Sequence, residues 1–232
     1  ATALARIMQD DYGTETLVLC PKNLATMWRD YLHDYHLVGE VHSVSNVQHE
    51  LPELRRFRVV IIDESHNLRN REGKRYRVIK DYIETNESKC ILLTATPYNK
   101  TYLDLSAQLR LFLSDDQSKD LGVRPERKIA EMGESRFVAE YQCPVRSLSA
   151  FEKSEYADDW RDLMRLYLVR RTRSFIQDYY AQSDQETGRK YLLFPDGRRS
   201  YFPTRIPRTI TFEIADEQTG DPYARLYADS VV

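Results

Sequence analysis

Val59-Val60-Ile61-Ile62-Asp63-Glu64-Ser65-His66 decides how this chain is read. Four consecutive β-branched residues suit a strand buried on both faces of a parallel sheet, and the polar residues begin abruptly where such a strand ends. In an open α/β sheet the chemistry sits at that end. Two adjacent carboxylates there can divide the work of nucleotide hydrolysis: one holds Mg2+ through an oxygen or a bound water, and the other orients and deprotonates the attacking water. Asp63 suits the first task and Glu64 the second. Taken alone, the same residues also describe a strand running into an acidic turn.

Outward from this stretch, the pattern repeats. Upstream, Leu17-Val18-Leu19-Cys20 is a short apolar strand stopped by Pro21, with Lys22 and Asn23 at its tip. Leu24, Met27, Trp28, Tyr31 and Leu32 then fall at helical spacing. Val41, Ser43 and Val44 suggest a further short strand, and residues 48–56 a short helix or turn. Downstream, Tyr76, Ile79 and Ile83 form a helical seam within a basic stretch, and Cys90-Ile91-Leu92-Leu93 is another buried strand ending in Thr94-Ala95-Thr96-Pro97. Thr101-x-x-Asp104 has capping-box spacing and predicts a helix from there through Leu113. Strands alternating with helices predict an α/β fold with a parallel, doubly wound sheet.

Beyond Ser114 the texture changes to a polar stretch holding Gly122, Pro125, Gly133 and Pro144. Ser149-x-x-Glu152 predicts the start of a long helix reaching Val169. Leu192 to Phe202, with Asp196-Gly197 at its centre, predicts a hairpin with a two-residue turn. A last strand is expected over 206–214 and a helical or frayed end over 221–232. The expected organisation is a core over 1–113 and a helical and hairpin extension over 114–232.

Composition excludes some classes. With 41% hydrophobic and 30% charged residues and a net charge of -2, the chain is expected to be globular, with no membrane partner, since no apolar run could cross a bilayer. Cys20, Cys90 and Cys143 have no metal-type spacing and read as reduced structural cysteines. Ala1 to Met8 reads as the body of a helix, so a piece of a longer protein is expected.

Taken in order, the strand ends resemble the first motor domain of superfamily 2 helicase-like ATPases, most closely the Swi/Snf-like branch. The residues carrying the resemblance are Cys20-Pro21-Lys22-Asn23-Leu24 with Trp28, Asp63-Glu64-Ser65-His66, Leu93-Thr94-Ala95-Thr96-Pro97, and Leu168-Val169-Arg170-Arg171-Thr172-Arg173. The resemblance implies a RecA-like domain using ATP and Mg2+, with Asp63 handling the metal and Glu64 acting as general base. It implies that His66, Thr94 and Thr96 relay the nucleotide state, that Lys22 and Asn23 touch the nucleic-acid backbone, and that double-stranded DNA and a second RecA-like lobe are partners. Such an enzyme needs a Gly-x-x-x-x-Gly-Lys-Ser/Thr loop to cradle phosphates, and none occurs in these residues. The isolated chain is therefore expected to bind ATP poorly and not to turn it over.

Arg170, Arg171, Arg198 and Arg199, interleaved with Tyr191, Phe194, Tyr201 and Phe202, have the profile of a phosphate-tracking surface. The alternative is that the aromatics pack the hairpin while the arginines stay in solvent or pair with acids. For the whole chain, an RNA helicase lobe and a non-catalytic nucleic-acid-binding domain of the same fold stay open.

Overall fold

The computed structural model describes residues 1–99, 101–114, 121–194 and 196–203. They fall into two compact units, the first ending at Leu168 and the second beginning at Val169.

The first unit is built on strands β1 (Thr16–Cys20), β2 (Gly39–Ser43), β3 (Val59–Ile62) and β4 (Lys89–Leu92), paired in the order β2-β1-β3-β4 with every pairing parallel. The α/β class with a parallel sheet and helices on both faces, expected from sequence, is what folds. β1 and β3 are buried at every position because helices cover both faces. Successive side chains point to opposite faces. Leu17, Leu19, Val60 and Ile62 meet α3 (Val47–Glu50) and α4 (Lys74–Asn86), whereas Val18, Cys20, Val59 and Ile61 meet α1 (Thr2–Tyr12) and α2 (Ala25–Asp34). At roughly 25 cal/mol per Å2 of apolar surface removed from water, these two layers are the main favourable contribution to folding of this unit. Gly13 ends α1 in the left-handed conformation, φ 61°, and its N–H bonds back to the Gln9 carbonyl.

After β4 the chain builds a helical cluster: α5 (Leu103–Leu109), α6 (Glu126–Met132), α7 (Glu134–Tyr141), α8 (Leu148–Glu152) and α9 (Ala157–Tyr167). Leu105, Leu109, Leu148, Phe151, Trp160 and Leu163 form its centre, with Tyr102 stacked on Trp160 at 5.2 Å. Buried Asp159 accepts from the N–H groups of Arg127 and Lys128, tying α9 to the start of α6.

Three local expectations are corrected here. The helix after β4 runs from Leu103 to Leu109 and not through Leu113, and at its start the Asp104 carboxylate accepts from the Asn99 N–H at 3.0 Å instead of closing a box with Thr101. The long helix expected from Ser149 is two helices: Ser147 caps α8 by accepting from the Ala150 N–H, and the chain turns at residues 153–156 before α9. Glu152 cannot act in a capping box because arginines engage it.

The second unit contains α10 (Arg173–Tyr179), capped by Thr172, and an antiparallel sheet of β5 (Gln182–Ser183), β6 (Lys190–Leu193) and β7 (Arg199–Tyr201) in sequence order. The expected hairpin is present between β6 and β7, but its turn is longer than two residues. Phe194 and Arg198 close it, with the Phe194 N–H donating to the Arg198 carbonyl at 2.9 Å and the Gly197 N–H donating to the Phe194 carbonyl. Within the turn Gly197 has positive φ, 79°. The strand expected over 206–214 and the end expected over 221–232 lie outside the described residues. Among the described residues no helix is long and apolar enough to cross a membrane.

Candidate functional site

Each parallel strand delivers its following residues to the same edge of the sheet. Backbone hydrogen bonds carry the ladder to that edge: the Asp63 N–H donates to Leu19 O at 2.8 Å, and the Leu93 N–H donates to Ile62 O at 2.8 Å. Lys22 and Asn23 are exposed in a single turn after β1, Asp63 to His66 follow β3, and Thr94 to Pro97 follow β4.

Asp63 is fixed from two sides. Its Oδ2 accepts from the Trp28 indole N–H at 2.8 Å, and its Oδ1 accepts from the Glu64 backbone N–H at 2.9 Å. A carboxylate has about four lone-pair sites, so each oxygen keeps acceptor capacity for a hydrated cation. The donor set therefore fits Mg2+ held through water. Among the described residues, no group of three or more His, Cys, Asp or Glu side chains is arranged to hold a metal.

Glu64 has φ 52° and ψ 44°, the left-handed region that costs a non-glycine residue about 1–2 kcal/mol. The turn is held there by the Ser65 N–H, which donates to Leu93 O at 2.9 Å. Strain held at a strand tip is characteristic of functional positions. Glu64 is partly exposed, and its Oε2 lies 3.0 Å from His66 Nδ1. The same Nδ1 lies 3.3 Å from Thr94 Oγ1. His66 thus stands between the carboxylate of one strand tip and the hydroxyl of the next, where it can exchange hydrogen-bond partners.

Thr94 and Thr96 are joined to each other and to the neighbouring tip. Thr94 Oγ1 accepts from the Thr96 N–H at 3.1 Å, and Arg69 Nη2 donates to both the Thr96 carbonyl and, at 3.2 Å, the Thr96 hydroxyl. Buried Gln108, on α5, completes the connection. Its Oε1 accepts from the Ser65 hydroxyl at 2.7 Å, and its Nε2 donates to Pro97 O at 2.5 Å and Asp104 O at 3.1 Å.

Arg69, Gln108 and the Trp28 indole are the participants that sequence reading missed. Gln108 lies 43 residues from its partner Ser65, and no local pattern signals such a bond. Trp28 carried a signal, as the polar-tipped aromatic on an apolar helix face.

Behind the site, Glu152 Oε1 accepts from Ser106 Oγ at 2.6 Å, Arg110 Nε at 2.9 Å and Arg71 Nη1 at 3.0 Å. Burial pushes the Glu152 carboxyl up, but bonds from Arg110 and Ser106 with the Arg110 and Arg71 charges outweigh it, and the net shift is downward. Burial, and then the Asp63 charge, raise the Cys20 thiol to about 11, and burial raises Cys90 to about 12. Both are inert packing groups at neutral pH.

In the second unit, Arg170 and Arg171 are exposed ahead of α10, with the Arg171 guanidinium 4.9 Å above the Phe175 ring. Arg198 and Arg199 are exposed in the hairpin, over Phe194 at 5.5 Å and over Tyr191 at 4.8 Å.

The family model described as ResIII, type III restriction enzyme, res subunit, matches residues 5–99. The match covers less than half of the chain and marks residues 5–99 as similar to that family. All three strand tips of the site fall inside the matched segment. Among solved structures, the chain is similar to the Sulfolobus solfataricus SWI2/SNF2 ATPase core in complex with dsDNA, at 16% identity and a TM-score of 0.49. That alignment covers 79% of this chain and 42% of the other, so the chain spans less than half of that structure's length. No curated protein matches the chain.

Proposed function

We propose that this chain is part of the first lobe of an ATP-dependent DNA translocase or helicase of the Swi/Snf-like type, with residues 1–113 as its nucleotide-handling core. The observation that carries the reading is the joining of two strand tips. Asp63 and Glu64 stand at the first, Thr94 and Thr96 at the second, and His66, Arg69 and Gln108 span them.

In this reading Asp63 would hold Mg2+, which would supply charge neutralisation for the phosphates. Trp28 and the Glu64 N–H keep the Asp63 carboxylate in one orientation. Glu64 takes the proton of the attacking water at Oε2, and its left-handed backbone aims the side chain out from the strand tip. His66 next to it changes partner between Glu64 and Thr94 as the nucleotide changes, and Thr94 and Thr96 pass the change along the second tip. Lys22 and Asn23 offer donors to phosphate oxygens of the nucleic acid, fixing position without reading sequence. Arg170 and Arg171 add donors of the same kind, and a second RecA-like lobe completes the ATP cleft.

The test of the metal role uses the polypeptide that carries this chain with whatever sequence flanks it. Asp63→Asn is expected to abolish the Mg2+-dependent part of ATP binding while leaving the thermal transition in place. An Asp63→Asn protein whose nucleotide affinity still rises with Mg2+ as the unsubstituted protein's does would remove Asp63 from the site.

A further inference from the structure

We infer that the antiparallel sheet of the second unit is a duplex-DNA backbone contact, in which arginines held on aromatic rings offer their N–H edges to phosphate oxygens. The inference deepens the motor reading above and rests on it for the identity of the partner.

Register places the groups. The pairs Tyr191↔Tyr201 and Leu193↔Arg199 put Tyr191, Leu193, Arg199 and Tyr201 on one face of the β6–β7 ribbon, and Arg189 precedes β6 on the same side by alternation. On that face the Tyr191 and Tyr201 rings lie 5.4 Å apart. The Arg199 guanidinium lies over Tyr191 at 4.8 Å, and that of Arg189 over Tyr201 at 5.2 Å. Arg198 repeats the arrangement at the ribbon tip, over Phe194. A stacked guanidinium uses its face, while its N–H donors lie in the plane and stay directed outward. Holding it on a ring also removes rotamer freedom that phosphate binding would otherwise have to quench.

The neighbouring acids make their short hydrogen bonds to the turns and to Tyr201, and pair with the arginines only at longer range. Asp184 Oδ2 accepts from the Tyr201 hydroxyl at 2.6 Å, and its Oδ1 accepts from the N–H groups of Glu186 and Thr187. Its closest approach to Arg199 is 3.6 Å. Asp196 Oδ1 accepts from the Arg198 backbone N–H at 3.0 Å, and its Oδ2 stays 3.7 Å from Arg198 Nε. Lys190 differs: its ammonium is bound to Asp178 at 3.1 Å and to the Gln177 carbonyl, so it anchors α10. The Arg198 and Arg199 side chains are 75% and 54% exposed. Exposed, pre-set cations, held on the Phe194 and Tyr201 rings and on the buried Tyr191 ring of a narrow ribbon, match a regularly spaced row of phosphates.

The experiment measures binding of a short fluorescein-labelled DNA duplex to the 232-residue chain across a salt series. The chain is expected to bind, and Arg198→Gln with Arg199→Gln is expected to lower the slope of log affinity on log salt by about 2, since each phosphate no longer neutralised removes about 0.9. The paired lysine variant keeps both charges and is expected to keep the slope, which separates charge from folding. An unchanged slope in the glutamine pair, no duplex binding by the chain, or equal loss of binding to a polyglutamate peptide each overturns the inference. ATP turnover of the flanked polypeptide, read in parallel, distinguishes the two failures. Turnover with an unchanged salt slope sinks the hairpin contact alone. A slope that falls as expected without turnover keeps the contact and sinks the motor.

Discussion

Glu152→Ala is expected to destabilise the first unit by about 3 kcal/mol, because it removes the carboxylate that accepts from two arginines and a hydroxyl. Ser106 is fully buried, and the Glu152 and Arg110 side chains are each only 16% exposed. The loss is set at the lower end of the range for breaking a buried ion pair because Arg71, at 45% exposure, can turn to water. Urea unfolding of the 232-residue chain reads it directly. A loss under about 1 kcal/mol would show that the pair is no stronger than an ordinary surface contact.

The same group gives a pH signature. The folded carboxyl titrates below its unfolded value of about 4.3, so its contribution is complete above that pH and fades as pH falls below it. The stability gap between the unsubstituted chain and Glu152→Gln is therefore expected to narrow as pH is taken from neutrality to below about 4.3. A gap that stayed constant would mean that charge is not what Glu152 contributes.

Gln108→Leu is the second large effect. The amide orientation is set by its surroundings: two carbonyls, Pro97 O and Asp104 O, require the NH2 side, and the Ser65 hydroxyl takes the oxygen. Leucine fills similar volume but leaves the Ser65 hydroxyl and the Pro97 carbonyl without this partner. At about 1–3 kcal/mol for the buried Ser65 hydroxyl and about 1 kcal/mol for the partly buried Pro97 carbonyl, a loss of about 2–4 kcal/mol is expected. The functional consequence should exceed the loss of stability. At temperatures where Gln108→Leu remains folded, ATP turnover of the flanked polypeptide is expected to fall by about tenfold or more, because the Thr94 to Pro97 segment is no longer held against Ser65. Normal turnover in a folded Gln108→Leu protein would assign Gln108 to stability alone. Gln108→Glu should be no rescue, since a carboxylate would face two carbonyls.

Which parts of this were legible in the sequence follows from the range of the interactions. β1, β3 and β4 could be read because a strand buried on both faces needs a continuous apolar run and ends where solvent begins. Asp63, Glu64 and Thr94 could be read as strand-tip residues for the same reason. Helix starts were misread wherever a side chain had a stronger distant partner than the local rule assumed. Asp104 bonds to Asn99 and lies near Arg69, and Glu152 bonds to Arg110 and Arg71. Both carboxylates fit the capping spacing, and neither performs it. The Arg69 to Lys80 stretch looked basic in sequence, but Arg69 is bound to Thr96, Arg71 to Glu152, Arg77 to Glu72 and Lys80 to Glu84. Its charge is largely matched within the unit. The hydrogen bonds of Trp28 and Gln108 cross 35 and 43 residues, and only the folded sheet brings their partners together.

The proposed function assigns ATP hydrolysis to Asp63 and Glu64, in a motor that runs on duplex DNA. ATP hydrolysis by the polypeptide carrying this chain with its flanking sequence, with and without double-stranded DNA, tests it most directly when set beside Glu64→Gln. The expected result is turnover that DNA stimulates and that falls by about 100- to 10,000-fold in the glutamine variant, the range for losing a general base, with nucleotide binding retained. A Glu64→Gln protein as active as the unsubstituted one, or no turnover with any nucleic acid, would contradict it.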